Sequence, residues 1–339
     1  MPVPVNDLGY RKWDGEISSA YFRWLTIALS GIKIVFKSQW IKRIMFLSWI
    51  PALAVGGLFF FYEQYVEIRE DQPALSFSRN QDIREFEAVR GVLLLFSSNR
   101  QAERVIESFT KEPNEARGYV WSFILLQMLR RTQGWMLLLL IGLIAPPLIA
   151  KDMRSRAFLF YFSKPISRTD YLIGKFSVIG FYVGFVTILP AIALYLFGIL
   201  LSPNLSVIAT TWVLPLRVIA ACLVMIVPSC LIALTLSSLT TESRFAGFAW
   251  FMVWILGFVG YQIVSTVQQL DFGANFEPRN VDSLWRLVSL YDCLGFLQGW
   301  VMGLEDNHQY AITMSAFVVG ICVACVYTIL QKISAPLKA

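Results

Sequence analysis

Six stretches of the chain are long, apolar and free of charge: residues 44–62 (IMFLSWIPALAVGGLFFFY), 133–150 (QGWMLLLLIGLIAPPLIA), 177–201, 218–239, 245–264 and 311–330. A helix crosses the ~30 Å hydrocarbon core with about 20 apolar residues, so each stretch predicts one spanning helix. The second is the shortest. Its Pro146-Pro147 pair removes two backbone donors and predicts a bend or an end there. Pro190 and Pro228 fall inside the third and fourth stretches as further candidate bend points.

The segments between these stretches read differently. Residues 17–40 are apolar but interrupted by Arg23, Lys33 and Lys37. A spanning helix would hold Lys33 near mid-bilayer at high cost, whereas a helix in the headgroup region lets basic side chains reach water. We read 17–40 as an interfacial helix. The alternative, a seventh span, would reverse the N-terminus. Residues 63–132 contain QDIREFEAVRGVLLLF and NRQAERVIESF, both with helical periodicity, which predicts a helical insertion outside the membrane. Residues 119–129, YVWSFILLQML, are too short to span and are expected on the membrane surface or on that insertion. In 265–310, SLWRLVSLYDCLGFLQGWVMGL (283–304) is amphipathic and aromatic yet carries Arg286 and Asp292. It predicts an interfacial or re-entrant helix pair.

Composition supports a single all-α polytopic membrane domain over 1–339. Of the chain 56% is hydrophobic and 15% charged, against about 25% charged in a soluble domain; mean hydropathy is +0.58. No signal peptide precedes the first apolar stretch, which is therefore expected to stay in the membrane. Charge then orients the six spans. Segments 1–43, 151–176, 240–244 and 331–339 carry a net +10, and 63–132, 202–217 and 265–310 a net −4. The positive-inside rule places the first set, with both termini, in the cytoplasm. Arg130-Arg131 runs against the rule at one boundary.

Several chemistries lack their residues. There is no G-x-x-x-x-G-K-[ST], since Gly174-Lys175 is followed by Phe176, and no H-E-x-x-H or G-x-S-x-G. Cys322-x-x-Cys325 lies in an apolar stretch without a His or a second Cys pair, so the cysteines read as packing residues. His308 in EDNHQY reads as part of a solvated loop. We expect no metal, no cofactor, no nucleic acid and no catalytic centre. Span cores nearly free of charge argue against an ion-coupled carrier or a voltage sensor.

The cytoplasmic loop 151–176 is the richest segment. With the preceding alanine it reads AKDMRSRAFLFYFSKPISRTDYLIGKF. Residues 152–162 predict a short helix with Asp152 as N-cap or first-turn acid. Arg154 and Arg156 point to water or lipid phosphate, and Phe158, Phe160, Tyr161 and Phe162 form an aromatic surface. Lys164-Pro165 ends it, and Ser167 caps the helix that becomes the third span. Exposed aromatics beside arginines suit a protein partner; the plainer reading is a basic topology anchor. In the fifth stretch, Phe251, Trp254, Phe258 and Tyr261 share nearly one face. They could line a path or gate, or simply pack against neighbours. Gly247, Gly257 and Gly260 allow close helix approach.

From Asp152, AFLFYF (157–162), Pro165-Ile166-Ser167-Arg168 and Tyr171-Leu172-Ile173-Gly174-Lys175, the chain resembles permease subunits of type 2 ATP-binding cassette (ABC) transporters. It departs from their pattern in having Asp152 for the commoner Glu, and Arg154-Ser155-Arg156 where Gly-Thr is common. The resemblance implies a multi-pass subunit of the cell (cytoplasmic or inner) membrane that is not itself an enzyme. A separate cytoplasmic ATPase would bind ATP and Mg. Two permeases, as homo- or heterodimer among membrane lipids, would join two ATPases. A coupling helix would dock the ATPase through Asp152, Arg156, Phe158, Phe160, Phe162, Pro165 and Arg168. An exporter is the implied activity. The alternative is an ATPase-coupled scaffold or mechanotransmission protein working through 63–132 without cargo.

Overall fold

A computed structural model describes residues 22–71, 105, 113–157, 161, 166–202, 207–271 and 284–334. Every regular element among them is helical. In chain order they are α1 (Arg23–Phe36), α2 (Gln39–Leu47), α3 (Ile50–Asp71), α4 (Pro113–Gln127), a π-helical turn (Met128–Thr132), α5 (Gln133–Ile144), α6 (Pro146–Arg154), α7 (Arg168–Leu201), α8 (Val207–Thr211), α9 (Leu214–Ser238), α10 (Ser243–Asp271), a 3₁₀ turn (Leu284–Val288), α11 (Leu290–Val301) and α12 (His308–Ser334). Among the described residues six segments are long and apolar enough to cross a membrane: Gln39–Gln64, Gly134–Arg154, Arg168–Leu201, Val207–Ser238, Ser243–Val267 and His308–Ile333. They coincide with the six apolar stretches of the sequence.

The three proline sites behave differently. Pro190 and Pro228 sit inside the continuous helices α7 and α9. Pro146-Pro147 does interrupt, at Ala145, and α6 starts anew with its first two donors missing.

The helix read over 17–40 is described from Arg23 and breaks at Lys37-Ser38. α1 lies along the first part of α7. A Cβ on Gly174 would come within 2.8 Å of Ile27, and one on Gly31 within 2.5 Å of Val178. Tyr182 Oη donates to the Ile32 carbonyl (2.7 Å).

Residues 119–129 differ from expectation. They are not on a surface. α4 continues through the π turn into α5, and Trp121, Leu125, Leu126 and Met128 are fully buried. The reason is a pairing across 54 positions. Arg117 on α4 lies 3.2 Å from Glu63 on α3, both side chains almost wholly enclosed, and the Trp121 indole donates to the same carboxylate (3.0 Å). Charges can be buried when paired and hydrogen-bonded, and this pair draws the apolar α4 into the bundle. The periodic segment at 81–109 that predicted a helical insertion lies outside the described residues, Val105 excepted.

The described part of 283–304 packs against the fifth span and the rest of the bundle. The Val288 carbonyl comes within 3.1 Å of where a Cβ on Gly257 would sit, and Gly257 is near the middle of the Ser243–Val267 span. From that depth α11 runs with Cys293–Gly299 buried. Gln298 donates to the Ala221 carbonyl of α9 (3.1 Å). Gly295 has no room for a side chain because the Arg130 guanidinium lies on it, and Arg130 faces Asp292 at 3.8 Å.

Candidate functional site

Two places carry the polar and aromatic residues singled out above. The first is the corner where α6 ends and α7 begins. Pro146-Pro147 leaves α6 without a normal start, and a hydroxyl from another span supplies one. Ser237 of α9 accepts from the Ile149 and Ala150 amides (3.2 and 3.1 Å) and donates to the Pro146 carbonyl (2.7 Å). Ser237 acts as a cap delivered in trans, on the fourth and fifth amides of α6 rather than the second or third that an N-cap ordinarily serves.

At its other end α6 closes in a Schellman turn. Arg156 N bonds to the Met153 carbonyl (3.2 Å) and Ala157 N to the Asp152 carbonyl (2.9 Å), with Arg156 at φ 53°. That left-handed position normally takes Gly. α6 stops at Arg154, so Asp152 lies in a last turn and not, as expected, at a helix start; of the expected helix beyond Ala157 only Tyr161 is described, in helical conformation with its amide on the Ala157 carbonyl (3.1 Å). An acid there opposes the helix dipole, and α7 compensates. Lys175 Nζ lies 2.7 Å from Asp152 Oδ2, and Tyr171 Oη donates to the same oxygen (2.8 Å). Lys175 also sits over the rings of Tyr171 (5.4 Å) and Tyr161 (5.9 Å). Burial, then the Asp152 charge, raises the Tyr161 phenol above its ordinary value. α7 itself begins with a capping box: Ser167 Oγ accepts from Asp170 N (3.0 Å) while Asp170 accepts from Ser167 N (3.1 Å).

The corner also ties to the α9–α10 link. Arg154 pairs with Glu242 at 3.2 Å, both largely exposed, a contact worth little by itself. Arg156 and Arg168 are exposed. Phe158, Phe160, Phe162 and Pro165 lie outside the described residues.

The second place is a cavity of ≈ 30 Å³ between α5, α9, α10 and the start of α11. Trp254 and Phe258 of the aromatic stripe line it, joined by Trp135, Trp250 and Tyr291. Trp250 packs edge-on to Trp254 at 5.4 Å, and Phe258 to Tyr291 at 5.8 Å. The stripe does not converge as one surface. Phe251 instead fills the gap at Gly142, where a Cβ would lie 2.7 Å from its ring, and Tyr261 is buried away from the cavity.

A family model described as "ABC-2 family transporter protein" matches residues 34–331. The chain belongs to that family. It is a membrane-spanning ABC-2 permease, and the match takes in five of the six candidate spans whole and the sixth up to residue 331. Comparison with curated proteins finds no match.

In this ABC-2 permease the corner brings together Asp152, Tyr161, Tyr171 and Lys175. Two contributors were missed in the sequence, and the first of them had no signal there. Ser237 is one serine among several in its stretch, and its partners lie 87 to 91 positions away. Trp250, at the cavity, lies one turn before Trp254, and that spacing was the available signal. Among the described residues no group of three or more His, Cys, Asp or Glu could hold a metal ion.

Proposed function

We propose that this ABC-2 permease is the membrane subunit of an exporter driven by a separate cytoplasmic ATPase, with both of its own termini in the cytoplasm. The observation that carries this reading is the α6–α7 corner. Its inner face is fixed by Asp152, Lys175, Tyr171 and the Ser237 cap, while Arg156 and Arg168 face outward. A surface that must receive force from another protein needs such backing. In this reading Phe158, Phe160, Phe162 and Pro165 complete the docking surface, and Asp152 braces it from behind. ATP and Mg bind in the partner. A second permease copy completes the translocation path, with α5 and the aromatic face of α10 nearest to it. Trp254 and Phe258 then act at the path, and Phe251 and Tyr261 hold α10 against its neighbours.

The test is co-purification. Tagged permease in mild detergent is expected to bring down an ATPase, and a Phe160→Asp/Arg168→Glu variant to lose it while keeping its own elution volume. Retention of the ATPase by that variant would move docking elsewhere. ATPase activity that no cargo stimulates, joined to an effect of truncating 63–132, would favour the scaffold reading.

A further inference from the structure

The cavity between α5, α9, α10 and α11 contains an imbalance that packing does not explain. Ser229 Oγ and Trp254 Nε1 are both enclosed and have no hydrogen-bond partner. Their residues are 1% and 5% exposed, and both line this cavity. A buried polar group without a partner is costly, and native proteins rarely leave one so. Two in one cavity point to a partner from outside the chain. Trp250, one turn away, shows the contrast: its indole donates to the Leu138 carbonyl at 2.9 Å.

The rest of the lining defines the guest. Among the described residues no charged side chain lines the cavity, which disfavours an ionic headgroup. An ordered water wants two to four polar partners. Here an indole donor and one hydroxyl are open, enough for one oxygen and no more. The space, ≈ 30 Å³, exceeds one water at about 10–15 Å³ on this measure, so the remainder suits a few methylenes. The mouth opens on the outer surface of the bundle, within the length of the spans. Trp135 and Ile255 line the cavity yet are 52% and 41% exposed, within the Gly134–Arg154 and Ser243–Val267 spans.

We infer that this cavity binds the hydroxyl or ester oxygen of a single-chain, uncharged, lipid-derived amphiphile. Trp254 Nε1–H donates to that oxygen and Ser229 shares it, while the first methylenes lie against Trp250 and Ile141. The inference stands apart from the transport reading, because it needs neither ATPase nor turnover.

The experiment uses full-length permease in phosphatidylcholine nanodiscs and a dodecanol carrying a chain diazirine. After illumination, label is expected within 134–141 and 250–258, suppressed by excess dodecanol. A diazirine-bearing dodecane without the hydroxyl should label these peptides at least fivefold less. Trp254→Phe and Ser229→Ala each remove one hydrogen bond and should weaken competition by dodecanol about five- to tenfold. Ser229→Leu fills the cavity and should abolish the label. Each variant is checked for unchanged elution and melting temperature, and Trp254→Phe with Ser229→Ala suffices if Ser229→Leu does not fold. Equal labelling by alcohol and alkane overturns the inference. So does label that dodecanol cannot displace, whether because water or a second copy of the chain fills the cavity.

Discussion

Removing the Ser237 hydroxyl tests how α6 is held. The group serves two amides and one carbonyl at the break made by Pro146-Pro147. Ile149 and Ala150 are 0% exposed, so in Ser237→Ala no solvent replaces it. Loss of an N-cap costs about 0.5–2 kcal/mol, and an orphaned buried donor about 1–3 kcal/mol. The two amide bonds are long, which places each loss in the lower half of its range, for about 2–3 kcal/mol together. A chain of this size loses about 2 °C per kcal/mol, so the apparent melting temperature in detergent should fall by about 4–6 °C. Ser238→Ala is the control. Its hydroxyl donates only to Thr235 within its own helix (2.7 Å), and its loss should shift the midpoint by about 1 °C. Equal shifts for the two variants would refute the trans-cap.

Three further outcomes follow from the same geometry. Lys175→Met strands the Asp152 carboxylate among partly buried rings and should lower stability by about 2 kcal/mol, less than a fully buried pair; Asp152→Asn/Lys175→Met should recover at least half of that, read as a double-mutant cycle of melting temperatures. Arg156→Gly relieves the left-handed position and should raise stability by about 1 kcal/mol, or about 2 °C; a fall would mean that the Arg156 side chain matters more than its backbone. Gly257→Leu pushes against the Val288 backbone and should lower the midpoint by about 2–6 °C, whereas Gly260→Leu meets only the movable Val288 side chain at 3.5 Å and should shift it less.

The spans were legible because a bilayer leaves no choice: backbone groups must be satisfied within an apolar helix of fixed length. The cap at Ser167 was legible too, since Ser-x-x-Asp is a local device. What escaped depends on distance in sequence. Residues 119–129 look too short to cross, and only the Glu63–Arg117 pair shows why they sink into the bundle. The boundary of α6 escaped for a different reason. Asp152 reads as a starting acid, yet Lys175, 23 positions on, lets it sit at an end, and Arg156 takes a backbone shape that its residue type does not advertise. In the aromatic stripe the helical spacing was right, but one face of α10 meets three different neighbours. Spacing alone could not divide Phe251 from Trp254.

The break at Ala145 decides which parts of the molecule move as one piece. By sequence α6 is the tail of α5. Its start, however, is fastened by a hydroxyl of α9, its end is salt-bridged to the α9–α10 link, and its last acid is clasped by α7. The stiff unit at this end is therefore α6 with α9 and the first turns of α7, and α5 joins that unit at the break at Ala145. A push on Arg154 or Arg156 travels first into α9 and α7, through the Ser237 hydroxyl and the Asp152–Lys175 pair. It reaches α5 through the break at Ala145 and through α7 and α10, which pack directly against α5.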